Sequence, residues 1–85
     1  MYLIRETSEG FFVDYKIRGY LVESYFITIN PKKECSCHFF TESHNYHNHF
    51  HINLVEYWIK AGKPKYAMYD KDERGKIKVL CEGIK

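Results

Sequence analysis

The sequence predicts an α+β fold in which a small antiparallel β-sheet packs with one α-helix. Residues 2–29 are rich in β-branched and aromatic side chains, which is typical of strands, and two turn signals interrupt them. Residues 49–61 carry a helical period of apolar side chains. Residues 65–69 and 76–82 again have strand composition. The expected order is therefore a meander, one helix and a C-terminal hairpin.

The chain has 85 residues, of which 45% are hydrophobic and 18% are aromatic. This length predicts a single domain, residues 1–85, and the abundance of bulky side chains excludes a disordered chain. A domain of this size has a small core, so a metal ion, a disulfide or a second subunit often supplements it. The formal net charge of +2 does not by itself imply a polyanionic partner.

The meander is expected to contain three strands. Ser8-Glu9-Gly10 and Arg18-Gly19 have turn composition and separate them. The Asn30-Pro31 step then stops the third strand, because it supplies a turn and the proline cannot donate to a strand ladder. The predicted strands are Tyr2 to Thr7, Phe11 to Ile17 and Tyr20 to Ile29.

The helix is predicted from an apolar face at about 100° per residue. The inward face contains His51, Leu54, Val55 and Trp58, flanked by Ile52, Ile59 and Ala61, and the outward face contains Asn53, Glu56 and Lys60. Gly62 and Pro64 end the helix. Between the two last strands, residues 70–75 have loop composition and finish on a glycine.

Potential metal ligands are concentrated in residues 35–51. Zinc prefers thiolate and imidazole ligands, and a structural site draws them from two chain segments. In extended backbone, side chains at i and i+2 point to the same side, so Cys35 and Cys37 can present both sulfurs to one ion. These two cysteines are too close for an unstrained disulfide, which favours a Zn²⁺ site. All five histidines follow them: His38, His44, His47, His49 and His51.

The second pair of ligands is expected at the start of the helix. His51 shares a helical face with Trp58 and so points into the interior, and His49 lies at or before the first turn. If the helix begins earlier, His47 and His51 at i and i+4 form the pair instead. The predicted ligands are Cys35, Cys37, His49 and His51, with His47 in reserve.

Residues 25–61 resemble the SWIM-type zinc finger, whose pattern is C-x-C, a loop of variable length and then C-x-H running into a helix. Cys35-Ser36-Cys37 matches the first half, residues 38–48 stand for the loop, and His49-Phe50-His51 stands where C-x-H is expected. A histidine thus replaces the third cysteine, which zinc accepts. The resemblance implies a ββα centre with a structural zinc ion, and either DNA binding or protein–protein contacts.

Other interpretations of this segment stay open. The histidine-rich loop can be a solvated surface, with Cys35 and Cys37 buried as small apolar residues, or the metal can be catalytic or regulatory. His38 and His44 are expected at the surface or beside the ligands. Cys81 alternates with Val79 toward one face and is expected to be a core thiol of the last strand, or a fourth ligand if one histidine fails. No nucleophile motif, phosphate loop or diagnostic carboxylate pair indicates an enzyme.

The expected partner is nucleic acid, bound through basic residues near the finger and the C-terminal hairpin. Residues 60–85 hold eight basic and four acidic side chains, whereas residues 1–59 hold five and seven. Phosphate contacts require lysine or arginine. The candidates are Lys32, Lys33, Lys60, Lys63, Lys65, Lys76 and Lys78.

The alternative is a protein-interaction or self-assembling module with a purely structural zinc ion or no metal. Exposed tyrosines are frequent where partners dock, and the sequence contains eight tyrosines. A small open sheet also leaves edge strands, so pairing into a homodimer is expected. No apolar run approaches the ~20 residues of a membrane span, and we expect a soluble, cytoplasmic protein.

Overall fold

The computed structural model describes residues 1–30, 32–37 and 49–83. In these ranges the strands are β1 (Tyr2–Glu6), β2 (Phe11–Ile17), β3 (Tyr20–Thr28), β4 (Glu34–Cys35), β5 (Met68–Lys71) and β6 (Ile77–Cys81), and the helix is α1 (Phe50–Lys60). The strands form one antiparallel sheet in the order β4-β3-β2-β1-β5-β6. The predicted α+β fold is confirmed.

Strands β1, β3 and β6 are one residue shorter than predicted at one end or at both, and β4 and β5 differ more. β5 continues to Lys71, inside the segment 70–75 that was predicted to be a loop. β5 begins at Met68 rather than Lys65, because the preceding segment is held in a turn against the helix. The Trp58 indole nitrogen Nε1 donates a hydrogen bond to the Pro64 carbonyl oxygen (3.0 Å) there. β4 is not in the prediction at all, since a strand of two residues is too short to give a composition signal.

Tight turns connect the first three strands. The backbone N–H of Thr7 donates to the Gly10 carbonyl oxygen (2.7 Å). A Cβ atom added to Gly10 would lie 2.6 Å from the Ile27 carbonyl oxygen, so this turn requires glycine. Arg18 and Gly19 both have positive φ, at 53° and 83°, as a two-residue hairpin turn demands.

The core lies between α1 and one face of the sheet. The helix buries His51, Ile52, Leu54, Val55 and Trp58, which confirms the predicted inward face. Val13 of β2 and Ile27 of β3 are completely buried beneath them. No helix in the described ranges has the length and apolar character needed to span a membrane.

The antiparallel order gives the sheet two distinct ends. Tyr2, at the start of β1, pairs with both Tyr15 and Tyr69 and lies 5.1 Å from the Phe50 ring. The β2–β3 turn, the β5–β6 turn and the start of α1 therefore share one end, which we name the hairpin end. The β1–β2 turn, the β3–β4 connection and the last turn of α1 lie at the other end, which we name the helix-C end.

The edges of the sheet are irregular. At one edge, β4 covers β3 only at Ile27 and Thr28, and the uncovered part of β3 has a bulge at Val22. At the other edge, pairing between β5 and β6 shifts at Leu80. Such bulges disfavour the addition of another strand, so these edges do not favour the homodimer, which stays a prediction. The prediction that Cys81 is a core thiol is wrong, because β6 is the outermost strand and Cys81 is exposed.

The sheet face away from the helix contains a buried carboxylate. Asp14 is 6% exposed and accepts hydrogen bonds from Arg5 Nε (2.6 Å), Arg5 Nη2 (3.0 Å) and Ser24 Oγ (2.6 Å). The Arg5 guanidinium holds the pKa of this carboxyl below its ordinary value. These bonds join β1, β2 and β3, so they help to fix the register of these three strands relative to one another.

Candidate metal centre

Two segments bring four potential ligands together between the sheet and the helix. Cys35 lies in β4, opposite Ile27 of β3, and Cys37 follows two residues later. His49 is the N-cap residue of α1, and His51 lies in its first turn. All four side chains are buried, with exposed fractions of 4%, 4%, 9% and 8% respectively.

The donor atoms of these four residues all lie within 4.8 Å of one another. Cys37 Sγ lies 2.8 Å from His49 Nε2, and Cys35 Sγ lies 3.8 Å from His51 Nδ1. With bonds of about 2.3 Å to sulfur and 2.0 Å to nitrogen, tetrahedral zinc separates its donors by about 3.5 Å. These two sulfur–nitrogen distances bracket this separation, and the donors that lie up to 4.8 Å apart must approach by about 1 Å, so the cluster can hold a metal ion after modest movements of the side chains.

The surroundings set the protonation of the ligands. Burial lowers the pKa of His51 to about 3 and also lowers the pKa of His49, so both imidazoles are neutral at pH 7 and can donate a lone pair. Burial raises the pKa of the Cys35 thiol to about 12, although a hydrogen bond from the backbone of Cys37 partly offsets this effect. The thiol of Cys35 therefore keeps its proton until a cation replaces it.

The ligands are held by packing and by backbone hydrogen bonds. The Tyr25 ring stacks on the His51 imidazole with centroids 4.1 Å apart, which fixes the ring plane. Ser36, between the two cysteines, donates its backbone N–H to the Phe26 carbonyl oxygen (3.0 Å), and its Oγ accepts the Phe26 N–H (2.9 Å). The C-x-C segment is thus attached to β3 on one side and faces the helix on the other.

The structure brings the four first-choice ligands into one cluster. His47, the reserve ligand, lies outside the described residues, as do His38, His44 and the rest of the loop 38–48. Cys81 does not belong to the cluster among the described residues. The alternative of two cysteines buried as ordinary apolar residues does not account for two imidazoles directed at their sulfurs.

The seven predicted nucleic-acid-binding lysines do not form one surface. Five of them lie at the helix-C end: Lys32, Lys33, Lys60, Lys63 and Lys65. Three of these five form ion pairs, Lys32 with Glu34 (3.8 Å), Lys33 with Glu56 (3.0 Å) and Lys63 with Glu6 (2.9 Å). The other two, Lys76 and Lys78, belong to the C-terminal hairpin, where Lys76 lies at the hairpin end.

The hairpin end carries four further cationic side chains that the prediction missed. They are Lys16, Arg18, Lys71 and Arg74, which with Lys76 make a group of five. Among the described residues, no carboxylate forms an ion pair with any of the five. In sequence they are scattered over 60 positions, so only the pairing of β1 with both β2 and β5 brings them together.

Two clefts open at the hairpin end. One, of about 460 Å³, is lined by Tyr2, Glu23, Ser24, Tyr25, Ser36, Cys37, His51 and Lys71, so it borders the candidate metal site. The other, of about 480 Å³, is lined by Phe50, Asn53, Arg74, Gly75, Lys76 and Ile77. Lys71 lies between them, with its Nζ 4.8 Å from the centre of the Phe50 ring.

The fold and the cluster define a small α+β domain with a candidate Cys₂His₂ metal site. Comparisons with known protein families, with curated proteins and with solved structures found no match. The resemblance to SWIM-type fingers therefore rests on the C-x-C and H-x-H spacing and on the ligand cluster that these residues form.

Proposed function

We propose that this protein is a zinc-binding module of the SWIM type that binds nucleic acid, with DNA as the first candidate. The proposed metal site is supported by one observation: the four donor atoms lie within 4.8 Å of one another. Two thiolates and two imidazoles are the ligands that zinc prefers, and four protein ligands leave no position for a substrate. The zinc ion is therefore structural, joining the segment after β4 to the start of α1.

The metal is tested by native mass spectrometry of protein purified without added metal. We expect one zinc ion per chain, because the site supplies one closed ligand set. The Cys37→Ser variant should lose the ion, whereas Cys81→Ser should retain it, since Cys81 is exposed on β6. A folded wild-type protein that carries no metal after dialysis against zinc would refute the proposal.

The proposal that the domain binds nucleic acid is supported by the positive charges at the hairpin end. Lys16, Arg18, Lys71, Arg74 and Lys76 are free of ion pairs with described carboxylates, so their charges are available to phosphates. Acidic residues of β5 and of the β5–β6 turn are partly engaged. Asp72 accepts the backbone N–H groups of Arg74 (2.8 Å) and Lys76 (2.9 Å). Asp70 faces the N-terminal ammonium at 3.8 Å.

We expect binding to labelled DNA to weaken steeply as salt rises from about 50 to 200 mM, because phosphate contacts release counterions. The Arg74→Ala/Lys76→Ala double variant should bind more weakly and reduce the slope of log K against log[salt] by about 1.8 on duplex DNA or about 1.4 on a single strand. Fluorescence anisotropy over a salt series measures both quantities.

The matched control is Lys60→Ala/Lys65→Ala, which removes two exposed lysines from the helix-C end. If this control leaves the slope of log K against log[salt] unchanged, the phosphate contacts are assigned to the hairpin end. A reduced slope would instead assign them to the lysines predicted near the finger and the helix end. Binding that does not depend on salt, or no binding at the lowest salt, would contradict the nucleic-acid proposal.

A further inference from the structure

The tip of the β2–β3 hairpin exposes four apolar side chains, distributed over both faces of the hairpin. Tyr20 is 78% exposed, Leu21 58%, Val22 52% and Ile17 49%. The two cations of this tip, Lys16 and Arg18, stand beside them. Apolar side chains exposed together in this way mark a contact surface, and the adjacent cations indicate that the partner is anionic.

An aromatic surface continues from this tip toward the metal site. Tyr15 and Tyr25 are half-buried on the sheet face that packs against α1. Tyr2 packs on Tyr15 with ring centroids 4.7 Å apart and lines the 460 Å³ cleft together with Tyr25. A cleft of this volume accepts a small organic group such as a nucleobase with its sugar.

Positively charged side chains lie along the same surface. Lys71 lines the first cleft, and Arg74 and Lys76 line the second, which has Phe50 in its wall. Aromatic rings and positively charged side chains therefore alternate along the hairpin end, from Tyr20 to Lys76. Proteins that bind single strands combine these two elements, since cations follow the backbone and aromatic rings stack on the bases.

Intact duplex fits this surface less well. Paired bases are stacked inside the duplex and do not reach an exposed ring, whereas unpaired bases do. A lipid surface is the other anionic partner that an apolar tip can meet. The polar lining of the adjacent cleft, with Glu23, Ser24 and Ser36, favours a nucleotide over an acyl chain.

We infer that the hairpin end binds unpaired nucleotides of single-stranded nucleic acid, with Tyr20 stacking on one base and the Tyr2–Tyr25 cleft receiving another. This inference rests on the proposed nucleic-acid function and names its substrate class. Arg18 and Lys71 contact the phosphates that flank these two bases. The candidate zinc site lies behind the cleft, where it holds His51 and so the Tyr25 ring that stacks on it.

The experiment compares labelled single-stranded DNA, single-stranded RNA and a duplex of the same length by fluorescence anisotropy, with zinc-loaded protein. We expect a single strand to bind at least tenfold more tightly than the duplex. Tyr20→Ala should weaken single-strand binding by about tenfold, the value of one base–aromatic stack, and leave duplex binding unchanged. The DNA and RNA arms identify which single strand is preferred.

The matched control is Tyr66→Ala, which removes a tyrosine that is 68% exposed after the end of α1. It should leave both affinities unchanged. Equal affinity for duplex and single strand, or no effect of Tyr20→Ala, overturns this inference. If binding still depends on salt in that case, the proposed nucleic-acid function is retained. If neither nucleic acid binds but anionic vesicles do, and Leu21→Ser abolishes that binding, the hairpin tip is a lipid contact and both proposals fail.

Discussion

Removal of the metal should unfold this domain at ordinary temperatures. Structural zinc contributes about 10–16 kcal/mol of apparent binding free energy in zinc fingers, whereas a small domain has a stability of about 5–15 kcal/mol in total. The ligands join the segment after β4 to the start of α1, and the described residues show no disulfide that could replace this link. Circular dichroism should therefore show a melting transition that is lost or greatly lowered in excess chelator.

The Cys37→Ser variant should reproduce the effect of chelator without any chelator present. Its matched control is again Cys81→Ser, in which an exposed thiol outside the cluster is replaced and the melting temperature should stay within a few degrees. If chelator and Cys37→Ser both leave the transition unchanged, the hydrophobic core alone stabilises the fold and the zinc ion has no structural role.

The site was predictable because each half of it is local in sequence. C-x-C places two sulfurs on one side of an extended segment, and the helical period of residues 49–61 already directed His51 toward Trp58 and the core. The structure adds that Cys35 is held by β4 and that His49 is the N-cap residue. A two-residue strand gives no periodicity, so the sequence could not indicate β4.

The hairpin end was not predictable in the same way. Lys16 and Arg74 are far apart in sequence and meet at one end because β1 lies between β2 and β5 in the sheet. Strand composition identifies strands but not their lateral order, which depends on long-range pairing. A local signal was nevertheless present, since Tyr20, Leu21 and Val22 form an apolar run directly after the turn Arg18-Gly19.

The unknown lateral order of the strands also explains why Cys81 was wrongly predicted to be buried. Alternation with Val79 suggested a buried position, but alternation cannot show whether a strand is central or outermost. Strand β6 lies at the edge of the sheet, and the bulge at Leu80 breaks the alternation. The exposed Cys81 is consequently useful as the control thiol for every experiment on the metal site.

Zinc affinity should rise about 100-fold per pH unit between pH 7 and pH 8, which corresponds to two protons released per ion. Zinc binds the thiolate form, and in the unfolded metal-free chain a cysteine has its ordinary pKa of about 8.5, so both ligand thiols still carry their protons before binding. The imidazoles release few protons in this range, because a histidine in an unfolded chain has a pKa of about 6.5. The affinity therefore increases with pH mainly through the two cysteines.

Competition titrations with a chelator of known affinity measure this slope, and calorimetry in two buffers of different ionisation enthalpy counts the protons directly. The His51→Cys variant supplies the matched comparison, since a third thiol should raise the count from about two to about three. Below pH 6.5 the wild-type count should rise toward four, because the histidines of the unfolded chain are then protonated. A count that stays near two would mean that the metal-free domain is still folded, since burial in the fold lowers the pKa of His51 to about 3 and lowers that of His49. A count near zero would place the metal on groups outside the cysteine pair.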